Sequence, residues 1–168
     1  METSNKHVEI IVAVDNRWAI GADGNLLYRL SADMRHFKSL TMGHTVVMGR
    51  RTFESLPHGP LAGRQNIVLT RDRDYLPGYT DVVVAHTLEQ ALRLAEMPSP
   101  IMIIGGAQIY KIAMNYAETL HITMIHHAFA DADVWFPTPL ATRWTIVACE
   151  AHRDEAEYDF DFVTYKRL

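Results

Sequence analysis

Only one of the 168 residues is a cysteine, Cys149, so the chain can form no internal disulfide, and a reducing compartment is its natural setting. Cys149 falls in a strand-like segment, and no thiol chemistry is expected of it. Basic residues are not in excess either. Sixteen Lys and Arg against twenty Asp and Glu leave a net charge of −4, which argues against a general binder of nucleic acid or membrane surfaces. No apolar stretch approaches the roughly 20 residues that a membrane helix needs. The opening METSNKHVEI lacks the basic start and long apolar run of a secretion signal, so a cytoplasmic protein is expected. Low-complexity segments and repeats of solenoid period are missing too. What is present is 48% apolar content in a length that suits one compact domain over 1–168 with a good-sized core.

Short apolar runs rich in β-branched residues recur: VEIIVAV (8–14), TVVMG (45–49), NIVLT (66–70), DVVVA (81–85) and IMIIGG (101–106). Such near-continuous runs suit strands buried on both faces, which usually means a parallel sheet. Helical patterns fall between several of them, over 32–40, 52–56, 88–95 and 107–117, the third with Thr87 as N-cap and Gln90 three residues on. Alternating strands and helices describe an α/β domain with right-handed crossovers. After residues 120–125 the strand-like segments 144–151 and 158–167 follow with no helix between them, so an antiparallel pair is expected to close one edge. Ligands in open α/β sheets collect beyond the carboxyl ends of the strands.

Four places have unusual chemistry. In LSADMRHFKSL a helix opening near Ser31 carries an inward stripe of Leu30, Met34, Phe37 and Leu40, and Asp33 sits on or beside it. Either Asp33 meets the free N–H groups of the first turn, or it borders a pocket and receives hydrogen bonds from a ligand. In VVMGRRTFESL a strand stops at Gly49, and Arg50, Arg51 and Thr52 open a helix. Two cations there oppose the macrodipole unless an anion is bound, and guanidinium forks, amides and a hydroxyl all suit phosphate. NIVLTRDRD repeats the theme with Thr70 and Arg71, which suggests a ligand with several phosphates, a ribose 2′-phosphate among them. In IMIIGGAQIY a buried strand meets Gly105 and Gly106, which leaves bare backbone for a tight turn or for the close approach of a ring or pyrophosphate. His121, His126, His127, Asp131 and Asp133 are metal-ligand types, but His126 and His127 are adjacent and point to opposite faces of an extended chain, so no metal site is expected.

Taken in order, AIGADGNLLYRLSADMRHFK, VVMGRRTFESL, GRQNIVLTRD, IMIIGGAQIY and DADVWFP resemble dihydrofolate reductase of the bacterial type across essentially the whole chain. The resemblance implies an α/β fold: an eight-stranded, mainly parallel sheet with four flanking helices and an antiparallel C-terminal edge. It implies NADPH-dependent reduction of 7,8-dihydrofolate to tetrahydrofolate, supporting one-carbon metabolism and thymidylate synthesis, by hydride transfer to pterin C6 with protonation at N5. Asp33 would hold the pterin's 2-amino group and N3, with Thr123 bonded to it, and Tyr28 would keep a ring and a hydrogen-bonding tip where the family has a tryptophan. Water would deliver the N5 proton while Asp33 makes N5 more basic. Ile11, Ala13, Met34, Phe37, Leu56, Leu61, Ile104 and Tyr110 would line the folate pocket, which antifolates would share, and Arg64 would clamp the glutamate tail.

For NADPH the resemblance implies phosphate contacts from Arg50, Arg51, Thr52, Thr70 and Arg71, beside Gly49 and Leu69, with the 2′-phosphate nearest Arg50 and Arg71. Gly105 and Gly106, joined by a cis peptide, would admit the nicotinamide half next to Ala13 and Tyr110. Ala107, Gln108 and Ile109 would start the helix over the pyrophosphate, and Ile20, Gly21 and Asn25 would belong to a loop closing over nicotinamide. A monomer is implied. The chain departs from most relatives at Leu27-Tyr28, where they carry Pro-Trp, at Ser31, where they carry Pro, and at Gln108, an arginine in some. Two alternatives stay open: a related NADPH-dependent pyrimidine or pterin reductase, and a noncatalytic NADPH-binding module.

Overall fold

The computed structural model describes residues 6–168, so the first five residues of METSNKHVEI, and the reading made of them, lie outside the described residues. The chain alternates as the apolar runs require. It begins with β1 (Val8–Val14), followed by the short β2 (Ala19–Ala22) and β3 (Asn25–Leu26), then α1 (Ser31–Thr41). Next come β4 (Thr45–Gly49), α2 (Arg50–Glu54), β5 (Gln65–Leu69), β6 (Val83–Ala85), α3 (Leu88–Leu94), β7 (Ile101–Gly105) and α4 (Ala107–Ala113). The C-terminal part is β8 (Thr119–Ile125), β9 (Val134–Trp135), β10 (Trp144–His152) and β11 (Phe160–Arg167).

Eight strands form one sheet in the order β10-β11-β8-β1-β7-β4-β5-β6. From β8 to β6 every pairing is parallel. The central strands are buried on both faces: Ile10, Val14, Val46, Val47, Met48, Ile67, Ile103 and Leu120 are all inaccessible to solvent. Two core clusters result, one on each face. One gathers Val47, Ile67, Ile103, Leu120 and Tyr110, the other Ile11, Val46, Met48, Phe53, Val68 and Met102. Full two-sided burial is what a continuous β-branched run requires, at roughly 25 cal/mol per Å² of apolar surface removed from water. Among the described residues, no helix is long and apolar enough to cross a membrane.

The antiparallel C-terminal edge is present, with a refinement. β11 pairs antiparallel with both β8 and β10, so it is the reversed strand and β10 runs with the parallel set again. The sequence reading missed a second, three-stranded sheet, β3-β2-β9, whose members are two to four residues long, too short to show an alternation. Helix bounds also move. α2 starts at Arg50 rather than 52, and α4 ends at Ala113 rather than 117. The inward stripe of α1 needs one correction: Met34 is 56% exposed, whereas Phe37 and Leu40 pack against the second cluster. Thr87 caps α3 as expected, its side chain accepting from the Gln90 N–H.

Candidate functional site

Neighbouring strands deliver their carboxyl ends to one edge of the sheet. Ala13 of β1 stands in register with Thr123 of β8, and Gly49 of β4 with Leu69 of β5. Thr123 is buried, and its Oγ1–H donates to Asp33 Oδ1 at 2.5 Å, so α1 is tied by its first turn to the sheet. Burial pushes the Asp33 carboxyl up, and the Thr123 hydrogen bond pulls it down without cancelling that rise. Asp33 accepts from Thr123 and, among the described residues, from no N–H of the first turn. It occupies the first helical turn, and it also faces the sheet with Thr123 as its one hydrogen-bonding side chain among the described residues.

Apolar groups stand close by. Ile11, Phe37, Leu56, Leu61 and Ile104 belong to one packed cluster. The buried Tyr110 hydroxyl lies 2.9 Å from the Ile11 carbonyl oxygen and 2.8 Å from that of Ile104, and its single proton is shared between them. Burial first, and the Asp33 charge second, drive the Tyr110 phenol far above its ordinary range, so it stays neutral. Arg64 joins the far end of α1: its Nη1–H donates to Thr41 Oγ1 at 3.0 Å and its Nε–H to the Ala62 carbonyl at 3.0 Å. Burial lowers its pKa, but an arginine remains charged. Met34 stands outside the packed cluster, an exposed apolar side chain one residue from Asp33.

The glycine positions explain themselves through their neighbours. Gly105 has φ +129°, and a Cβ there would lie 3.2 Å from the Tyr110 hydroxyl. The Gly105–Gly106 peptide is cis, as the resemblance implies, and so is Ser99–Pro100, which nothing in the sequence suggested. A Cβ on Gly49 would meet Ile109 Cγ1 at 3.2 Å, and one on Gly106 would meet Thr52 Oγ1 at 3.5 Å. Gly49, Thr52, Gly106 and Ile109 thus converge where β4 and β7 end, leaving a backbone cradle that side chains would fill.

The cationic groups differ from the sequence expectation. Arg50 does not face an unopposed positive helix end, because its Nε–H donates to Glu54 Oε1 at 2.8 Å and its Nη1–H to Asp72 Oδ2 at 3.3 Å. Arg51 and Arg71 are exposed and, among the described residues, have no carboxylate partner. Thr70 holds a turn, its Oγ1 accepting from the Asp72 N–H at 3.1 Å. His86 was missed: its Nδ1–H donates to the Thr70 carbonyl at 2.8 Å, across a pairing that places His86 one residue beyond β6. Asp72 was legible in TRDRD only as a neighbour of Arg71, since its contact with Arg50 spans 22 residues.

The β2–β3 loop is held from a distance. Asp133 Oδ2 accepts from the Asp23 N–H at 2.9 Å, and the Gly21 carbonyl accepts from the Asp133 N–H at 3.0 Å. Ile20 packs against the first core cluster, whereas Asn25 lies exposed in β3 and pairs only with β2. Tyr28 sits in an aromatic cluster no spacing announced: its ring is 6.2 Å from Phe129 and 5.2 Å from Tyr158, and His127 stacks on Tyr158 at 4.3 Å. Ala107 and Gln108 begin α4 after the Gly106 N-cap. The metal-type residues are dispersed in separate pairs, His121 with Glu9 and His126 with Asp161, and no group of three or more metal-ligating side chains occurs among the described residues.

Comparison with known proteins gives one consistent result. The family model described as dihydrofolate reductase matches residues 7–167. The chain is similar to the dihydrofolate reductase of Staphylococcus haemolyticus, 36% identical over 163 residues, covering 96% of each chain. It is also 39% identical over 162 residues to dihydrofolate reductase type 3 of Salmonella typhimurium, covering 95% of this chain and 98% of that one. Among solved structures, Enterococcus faecalis dihydrofolate reductase complexed with NADP(H) and RAB-propyl superposes with a TM-score of 0.83 at 33% identity, covering 96% of both chains.

Proposed function

Because the chain belongs to the dihydrofolate reductase family, we propose that the strand-end site is where it reduces 7,8-dihydrofolate to tetrahydrofolate with NADPH. The observation that carries this reading is the Asp33–Thr123 pair set against the apolar cluster of Ile11, Phe37, Leu56, Leu61 and Ile104. A flat, amino-bearing ring needs such a site: apolar walls for its faces and one carboxylate for its N–H edge. Asp33 accepts hydrogen bonds from the pterin 2-amino group and N3, and Thr123 fixes which carboxylate oxygen is left for them. Ala13 and Tyr110 complete the floor, and Met34 adds apolar contact from the exposed side of α1. Arg64, already held by Thr41 and the Ala62 carbonyl, is preset for a carboxylate tail.

NADPH fits the residues present. The cradle of Gly49, Thr52, Gly106 and Ile109 accepts a group that comes close to backbone, and Arg51 and Arg71 are exposed cations without carboxylate partners among the described residues. Arg50, Arg51, Thr52, Thr70 and Arg71 would hold its phosphates, with Leu69, Gly105, Ala107, Gln108 and Ile109 along its length. When bound, the cofactor supplies the hydride. The chain's own contribution is position and electrostatics. Asp33 stabilises positive charge on the pterin and so favours a proton at N5, while the β2–β3 hairpin, whose strands carry Ile20, Gly21 and Asn25 where the sequence suggested a loop, excludes bulk water. Tyr28 acts through the loop, held by Phe129 and Tyr158. The reading takes the protein as a cytoplasmic monomer of one domain over 1–168. The β-bulge between Ile146 and Ala148 on the edge strand β10 supports the monomer, because bulges discourage edge pairing.

The test is loss of NADPH absorbance on mixing the protein with dihydrofolate, with NADH for comparison. Rapid oxidation preferring NADPH is expected. Tight NADPH binding with no turnover of dihydrofolate would overturn the substrate assignment.

A further inference from the structure

The proposed phosphate site contains a contradiction of charge. Arg50 opens α2, yet its guanidinium is claimed on two nitrogens by carboxylates, Glu54 Oε1 at 2.8 Å and Asp72 Oδ2 at 3.3 Å, while its carbon lies 4.6 Å from the centre of the Tyr75 ring. Glu54 is one turn along the same helix. Asp72 is not a loose surface acid. Its own N–H donates to Thr70 Oγ1 at 3.1 Å, and its Oδ1 accepts from the Asp74 N–H at 3.0 Å, so the turn aims the remaining oxygen at Arg50. Asp72 therefore links Arg50 to Thr70, two groups assigned above to the cofactor's phosphates.

We propose that Asp72, assisted by Glu54, is a specificity-determining residue that limits the preference for the 2′-phosphorylated cofactor. The inference rests on reading Arg50, Thr70 and Arg71 as the 2′-phosphate site. A phosphate carrying nearly two negative charges must share Arg50 with both carboxylates, whereas NADH, lacking that phosphate, senses neither. The side chains are about half exposed, 45% for Arg50 and 48% for Asp72, so the repulsion acts through solvent and is partly screened. One carboxylate about 6 Å from a phosphate in water and salt corresponds to roughly a three- to tenfold change in affinity. The same pair fixes Nε and Nη1, leaving Nη2 as the guanidinium nitrogen with no protein acceptor among the described residues. Arg50 is thus oriented and attenuated by the same two groups. The consequence is quicker exchange of the cofactor, since an unopposed cluster of three arginines would hold the spent cofactor as firmly as the fresh one.

Dissociation constants of NADPH and NADH, read by quenching of tryptophan fluorescence, test this in the wild type and in Asp72→Asn, Glu54→Gln and Arg50→Gln. Asparagine keeps the acceptor for the Asp74 N–H, so Asp72→Asn removes charge and retains the turn. NADPH is expected to bind three- to tenfold more tightly to Asp72→Asn, with the NADH constant moving less than twofold, and the gain should shrink near 1 M salt, where the Debye length is about 3 Å. Glu54→Gln, on a different element, should shift NADPH in the same direction and gives an independent reading. Weaker NADPH binding by Asp72→Asn, or an equal shift for both cofactors, overturns the inference. An Arg50→Gln variant that binds NADPH as the wild type does overturns the phosphate-site reading beneath it.

Discussion

Replacing Asp33 with Asn separates what this carboxylate does for the fold from what it does for the reaction. Burial raises the native Asp33 pKa and the Thr123 hydrogen bond opposes that rise only in part, so the native state binds the Asp33 proton more tightly than the unfolded chain does. Ionising Asp33 therefore works against folding. The penalty is absent below the ordinary carboxylate range, where both states are protonated, and complete once pH exceeds the raised native value. The hydrogen bond from Thr123, at 2.5 Å to a charged acceptor, is worth roughly 1.5–3 kcal/mol. Desolvation outweighs it, while an amide at this position keeps a neutral bond of roughly 1 kcal/mol and loses the desolvation cost of the charge. Asp33→Asn should accordingly match the wild type near pH 3 and exceed it at pH 7 by roughly 1 kcal/mol, a Tm rise of about 2–4 °C for a chain of this size. Turnover should move the opposite way. Loss of a half-buried charge that, in the proposed site, stabilises the protonated pterin is expected to lower turnover about 10²- to 10³-fold at neutral pH. The rate should then recover about tenfold per unit of acidification, as more substrate arrives already protonated. Thermal unfolding from pH 3 to 8 and NADPH oxidation over the range the fold tolerates measure both. A variant less stable than the wild type at pH 7, or an unchanged pH–rate profile, would refute the reasoning.

Three further outcomes are expected. Gly105→Ala should cost about 1–3 kcal/mol in denaturant unfolding, because φ is +129° and the new Cβ would stand 3.2 Å from the Tyr110 hydroxyl; Gly106→Ala, with φ −90° and an ordinary 3.5 Å contact to Thr52, should fold normally but raise the NADPH Kd at least tenfold. Arg64→Lys should raise the KM for dihydrofolate about tenfold by losing the planar fork, with no change toward a dihydropterin lacking the glutamate tail, and an equal loss for both would remove Arg64 from the tail site. Tyr158→Ala should remove aromatic contacts with Tyr28, Phe129 and His127 worth about 0.5–1.5 kcal/mol each; kcat should fall with it, whereas stability loss at unchanged kcat would make the cluster a packing feature alone.

Much of the architecture was open to direct reading. A run such as VEIIVAV has no polar position to give to solvent, so it demands burial on both faces and hence the interior of a parallel sheet. Asp33 announced itself by standing beside an apolar stripe, and Gly105-Gly106 by ending a buried strand. These signals are local, because they depend on periodicity and on what one residue type tolerates. Met34 shows the limit of periodicity: it satisfies the helical spacing, yet it lies 56% exposed, since the spacing of a stripe says nothing about where the neighbouring element ends.

Tertiary structure alone decided the partners. Nothing in VVMGRRTFESL reveals that Arg50 meets an acid 22 positions later, nothing near Leu27-Tyr28 reveals that the ring joins Phe129 and Tyr158, and the two- to four-residue strands of the small sheet span too few repeats to show an alternation. The sequence by itself determined which segments must be buried and which residues are candidates for chemistry, because hydrophobic patterning and side-chain type are properties of neighbouring positions. Which charges neutralise one another, and which rings stack, depends on the order in which strands cross the sheet, and only folding sets that order.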